Sequence, residues 1–161
     1  MYKSLKALLV SFLLTGAACG GGPEGKDLAR FTGVWTPTGG AEVDTCGGAS
    51  STNPIDKNVT WSLGSTSDLI QSLSTNCVIH ADVEGDTASA AGTQTCTGQS
   101  TDYYGNIVNN SYSFTAYTFV LSADGRTATE SVSGSLLQTD SGTGTTGTCT
   151  FTESGASYQK Q

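Results

Sequence analysis

One run gathers most of the chain's metal-type donors. In "CVIHADVEGD", His80, Asp82 and Glu84 alternate with apolar residues, and Asp86 follows where a turn is expected. On an extended strand, residues two apart point to one side. An imidazole and two carboxylates are reasonable ligands for a divalent ion. The same alternation describes the wet outer face of a half-buried strand whose inner face is Cys77, Ile79, Ala81 and Val83, and this second reading is preferred. No bound metal and no cofactor are expected. His80 is the single histidine, so a Ser-His-Asp triad would have to use it, and no G-x-S-x-G elbow presents a serine. Glu42 with Asp44, and Asp82 with Glu84, are neighbours on one strand face, whereas glycoside hydrolysis needs carboxylates on either side of a bond. They read as surface charge. "GTGTTG", 142–147, has the G-x-G-x-x-G spacing but no helix after it to carry a phosphate, and it reads as a hairpin loop. The chain is expected to be non-enzymatic.

Recognition chemistry is more plausible than catalysis. Tyr103 and Tyr104 stand beside Gly105 and Asn106 in the loop "TDYYGN", where aromatic area and adaptable polar groups sit together. They are the candidate ligand-binding residues.

At the amino end, "MYKSLK" is followed by the apolar run "ALLVSFLL", too short to span a bilayer, and by "TGAAC". This is the pattern of a secretory signal peptide. Small residues before Cys19 resemble the lipobox of bacterial lipoproteins. That resemblance implies cleavage after residue 18 and acylation of Cys19, which would tie the mature chain to a lipid bilayer without crossing it. Gly20, where an aspartate would signal inner-membrane retention in that family, favours the outer membrane, with the folded part in the periplasm or at the cell surface. Residues 19–29, including "GGGPEGKDL", read as a flexible tether.

The formal charge of −7 becomes about −9 once Lys3 and Lys6 leave with the leader. An acidic surface argues against nucleic acid as a partner. High glycine content, abundant Ser and Thr, and few charged residues favour strands. Setting Cys19 aside leaves Cys46, Cys77, Cys96 and Cys149, an even set that suits an oxidising compartment. Of the three possible pairings, Cys77–Cys96 is favoured because the two flank a hairpin, and Cys46–Cys149 because it would clamp an early strand to the last one.

The elements that must position these residues are short strands separated by turn residues. "RFTGVWTP", "AEVDTC", "NVTWSL", "SDLIQSL", "NCVIHADVE", the return to Cys96, "SYSFTAYTFVLS", "TATESVSGSLL" and "TCTFTES" carry the signals. Asp124-Gly125 marks a tight turn, and Gly134 marks a bulge or bend inside its strand. No long amphipathic helix is present in the pattern, so the fold class is all-β: one antiparallel meander of about eight strands over residues 30–156, with 157–161 as a tail. Closure into a barrel removes exposed edges, and a β-sandwich is the alternative. Gly33 and Trp35 in "FTGVW" resemble the opening Gly-x-Trp of lipocalins, which implies a tryptophan plugging the closed end of an eight-stranded barrel. The chain as a whole resembles lipoproteins of myxobacteria. The expected function is a membrane-anchored module that binds a small apolar ligand or an envelope protein. An inhibitor of a protease or lysozyme, or a passive envelope component, is the alternative.

Overall fold

The computed structural model describes residues 27–74, 77–90, 92–102 and 104–161. Its first element is a single helical turn, Leu28–Arg30, so the fold begins inside the segment expected as tether. Every other element is a strand. The clearest alternation produces β6, Cys77–Glu84, in which Cys77, Ile79, Ala81 and Val83 are buried and His80, Asp82 and Glu84 are exposed. Gly85, at φ 58°, turns the chain into β7, Thr87–Ala90. Ahead of them lie β1 (Gly33–Gly39), β2 (Ala41–Cys46), β3 (Ala49–Pro54), β4 (Val59–Leu63) and β5 (Leu69–Ser74). After them come β8 (Gln94–Thr101), β9 (Ile107–Leu121), β10 (Thr127–Asp140) and β11 (Thr146–Lys160).

All pairings are antiparallel, and the order β1-β4-β5-β6-β7-β9-β10-β11 closes on itself because β11 also pairs with β1. Eight strands therefore make a ring, as the edge argument predicts, although it is not a regular barrel. The other three are excursions from it. The β2–β3 hairpin leaves β1 at Gly40 and lies along the far half of β11. β8 lies along the far half of β9. The three long strands β9, β10 and β11 thus belong to the ring at one end and to an open, splayed sheet at the other. β11 does not stop before a tail: Gly155 (φ 65°) forms a bulge opposite Glu130 and Ser131, after which Ala156 and Tyr158 turn inward and Lys160 pairs with Trp35.

Two bulges let the same strands serve both regions. Along β9 the inward residues are Asn110, Tyr112 and Phe114, then Tyr117, Phe119 and Leu121. The parity changes where the β9–β10 register slips between Ser133 and Gly134. A Cβ on Gly134 would meet Ser113 O at 2.3 Å and the Phe151 ring at 2.5 Å, so only glycine fits there.

Aromatic rings fill the ring end. Trp35 is 0% exposed, its Nε1 donates to Phe31 O at 2.8 Å, and its ring meets Phe119 edge-on at 5.1 Å. Trp61 stands edge-on to Tyr117 at 5.7 Å, and Phe119 packs on Tyr158 at 5.9 Å. Each buried ring removes a large apolar area from water, worth about 1.5–3 kcal/mol, and such pairings add about 0.5–1.5 kcal/mol. Ala81 is inward as expected, Ala88 is inward as well, and neither lines the cavities described below. Ala88 pairs with Phe119, and the larger neighbouring rings fill the volume that small side chains leave free.

Where β7 ends, Gln94 bridges the gap to the ring. Its side-chain amide accepts from His80 N at 2.8 Å and donates to His80 O at 2.5 Å, acting as a substitute peptide group in the β6 ladder. Gln94→Ala is expected to cost about 1–2 kcal/mol in urea denaturation. It should also speed hydrogen exchange at the His80 amide; unchanged exchange there would remove this role.

Candidate functional site: an acidic cleft above the ring

Both disulfides form as the sequence reading favoured. Cys46 and Cys149 are directly opposed on β2 and β11, with Cα atoms 4.2 Å apart. Cys77 and Cys96 join β6 to β8, which among the described residues pairs with β9 alone. Together they brace the two flanks of the splayed sheet.

The inward face of this sheet can be read from the registers. Cys96, Tyr112, Leu136, Cys149 and Cys46 make one row across five strands. The next row toward the ring is Gln94, Phe114, Gly134, Phe151 and Asp44. Then come Tyr117, Val132, Glu153 and Glu42, and below them Phe119, Glu130 and Ala156. Tyr112, Phe114 and Phe151 therefore stand in the upper two rows, with Asp44 at the end of the second, while Glu42, Glu130 and Glu153 share the lower two with Tyr117 and Phe119. The sheet walls a cleft of about 700 Å³, lined also by Leu73 and Cys77 from the opposite side. An adjoining cavity of about 370 Å³ shares Glu42, Lys57, Leu73, Phe114 and Glu153 with it and runs down to Gln71, Tyr117, Glu130 and Tyr158.

Electrostatics in the lower part are unusual. Glu153 and Glu42 are a direct cross-strand pair, an arrangement of like charges that destabilises a sheet. Glu130 is 3% exposed and Glu153 7%. The Tyr117 hydroxyl donates to Glu130 Oε1. Burial, reinforced by the Glu130 charge and a hydrogen bond to Glu130, and then by Glu42, pushes Glu153 up to about 8. It therefore keeps its proton at neutral pH. Burial and Asp44 also raise Glu42, with Lys57 opposing. The Tyr117 and Tyr158 hydroxyls are raised by burial and by Glu130, so both remain donors.

The sequence-derived candidates fall elsewhere. Cys19 and Tyr103 lie outside the described residues. Tyr104 is 85% exposed at the tip of the β8–β9 connection, beyond the cleft. The turn around it is held by Asp102, whose carboxylate accepts from Tyr104 N, Asn106 N and Asn106 Nδ2 at 2.8–2.9 Å and is held below its usual range by these bonds. His80, Asp82 and Glu84 face outward, and among the described residues no three His, Cys, Asp or Glu side chains converge as a metal site. "GTGTTG" lies in the β10–β11 turn, where the Asp140 carboxylate takes hydrogen bonds from Gly142 N and from Thr143 N and Oγ1. Glu42 and Asp44, expected as surface charge, instead line the cleft, because β2 pairs along the edge of β11 and continues its cleft-facing side.

Glu130 and Glu153 were missed by sequence reasoning. The available signal was a carboxylate in phase with apolar neighbours: Glu130 with Ala128 and Val132, Glu153 with Cys149 and Phe151. Comparison with family models, curated proteins and solved structures finds no match to this chain.

Proposed function

We propose that the mature chain is a lipid-anchored binding module, held on a bacterial membrane through acylated Cys19 and using the cleft to take one small ligand with an apolar body. The observation that carries this reading is the cleft itself. About 700 Å³ is within the range of small-molecule sites, and Tyr112, Phe114 and Phe151 offer apolar area beside polar groups. The packed ring end acts as a rigid base, and the braced flanks hold the cleft open without a ligand.

A neutral aromatic probe, 2-naphthalenemethanol, tests it by saturation-transfer NMR on the full chain. Gly98 lines the cleft, and a Cβ there would meet nothing within 4 Å, so Gly98→Trp fills the mouth without clashing at its base. Transfer to the probe is expected in the wild-type chain and should be lost in Gly98→Trp. Equal signals in both would sink the cleft as the site. The anchor is tested separately by mass spectrometry of protein extracted from cells, where a diacylglyceryl group on Cys19 is expected. An unmodified Cys19 would remove it.

The exposure of Tyr104 on a turn pinned by Asp102 favours a second reading, contact with a protein such as a secreted hydrolase. In that case Tyr104→Ala would abolish capture while leaving probe binding intact.

A further inference from the structure

Around the floor of the cleft the described residues leave three buried polar atoms without a partner: the donor Trp61 Nε1, on the residue paired with Gln71, and two acceptors. Gln71, on β5, pairs with Trp61 and Ile79, faces inward and is 2% exposed. Its Oε1 is buried and has no hydrogen-bond partner among the described residues. Across the cavity, on β11, Glu153 Oε1 is in the same condition. Both side chains line the inner cavity, with Glu42 at its junction with the outer cleft. A buried acceptor without a donor loses the hydrogen bonds it had in water, a cost of about 1–3 kcal/mol each. Two such atoms on opposite walls, aimed into one cavity, mark where a donor from outside belongs.

We propose that this floor binds a protonated primary amine, R–NH3⁺, with Gln71 Oε1, Glu153 and Glu42 accepting its N–H bonds and the rings of Tyr112, Phe114 and Phe151 packing on its apolar body. The proposal rests on the cleft being a ligand site and specifies which chemistry it selects. An ammonium carries three donors and no acceptor, which matches the unpartnered Gln71 Oε1 and Glu153 Oε1. Its charge offsets the repulsion that Glu42 and Glu153 would have once Glu153 ionises. A divalent ion would need more converging ligands than the described residues provide. Lys57, exposed on the loop before β4, lines both the cleft and the inner cavity and opposes the acidic set there, so an ammonium would have to be accommodated beside it.

Binding should be linked to protons. Glu153 faces Glu130 on β10, Glu42 and Asp44 on β2, Tyr117 on β9, Tyr158 on its own strand, Lys57 from the loop before β4, and neutral Gln71 on β5. An ammonium entering this set favours the ionised form of Glu153. Near pH 7 the complex therefore forms with release of up to one proton, and affinity strengthens as pH rises toward 8.

Titration calorimetry on the full chain tests this with three probes that share one body: 2-phenylethylammonium, 2-phenylethanol and trimethyl(2-phenylethyl)ammonium. The primary ammonium is expected to bind at least tenfold more tightly than either of the others. In buffers of different ionisation enthalpy at pH 7 it should release protons. Gln71→Met, which keeps the volume but removes the acceptor, should weaken the ammonium about tenfold and the alcohol, with its single donor, by less; Glu153→Gln should abolish proton release. Equal binding of alcohol and ammonium would overturn the amine assignment while leaving the cleft as a ligand site. Tighter binding of the trimethyl probe would overturn the role of the acceptors. Competition by Ca²⁺ at equal concentration would reassign the floor to metal. No binding of any probe, together with failure of the neutral naphthyl probe, would remove the cleft itself.

Discussion

Replacing Cys46 and Cys149 together by alanine is expected to lower the unfolding free energy by about 4–5 kcal/mol, and replacing Cys77 and Cys96 by about 3 kcal/mol. The difference comes from loop length. The first bridge spans 103 residues and the second 19, and a cross-link over a longer loop removes more entropy from the unfolded chain. Against the 5–15 kcal/mol typical of a domain, the first loss leaves little reserve. It also has a local consequence. Among the described residues the β2–β3 hairpin is paired to the rest of the sheet along β11, and all six residues of β3 are exposed. A two-stranded hairpin is marginal by itself, so without the bridge its amides should exchange much faster than those of β9 and β10. Glu42 and Asp44 would lose their fixed position over the cleft. Guanidinium denaturation of the two double variants checks the order, and a larger loss from the shorter bridge would refute the loop-entropy account.

What the sequence reveals about this fold divides along physical lines. β6 was legible because its alternation is clean, and its two faces came out as read: Ile79, Ala81 and Val83 in, His80, Asp82 and Glu84 out. The disulfide pairing was favoured rather than fixed by the sequence: both bridges form as read, but through β2 and β8, which lie outside the ring that a simple meander predicts. β3 was not legible, since "ASSTNP" has no apolar phase and forms a strand only by pairing with β2. The splayed half of the sheet was hidden for a different reason. Period-two reading assumes constant parity, and the slip at Gly134 and the bulge at Gly155 each shift it midway along a strand. Gly134 announced itself as a break in a strand, but its purpose, to let β9 approach Phe151, needed the partner strands. The cleft is a product of tertiary closure. Glu42, Glu130 and Glu153 are far apart in sequence and meet only because β2, β10 and β11 lie side by side. Tyr103 and Tyr104 were visible as a loop, whereas a carboxylate inside an alternating strand resembles any other strand residue until its face is known to be buried.

The same carboxylates set the expected pH dependence of stability. Glu153 is raised from 4.5 to about 8 in the folded protein. Between these values the folded state holds a proton that the unfolded chain has released, so stability falls as pH rises. Its contribution is complete below about 4.5 and is lost by the time pH passes about 8. Glu42, also raised, acts in the same direction. Asp102, Asp124 and Asp140 act oppositely: their turn hydrogen bonds hold them below 3.8, so what they contribute is present above that value and lost as pH falls below it. Thermal stability should therefore peak near pH 4–5 and decline toward pH 8.5. Allowing for water in the cleft, the decline corresponds to roughly 2–3 kcal/mol. Glu153→Gln keeps the shape and cannot ionise, so it should flatten the profile and be more stable than the wild type at pH 8.5, with little difference at pH 4.5. A wild-type melting temperature that rises from pH 5 to 8.5 would show that Glu153 is ionised within the fold. In that case its buried charge must be matched by a donor, with Lys57 as the cation lining the cleft.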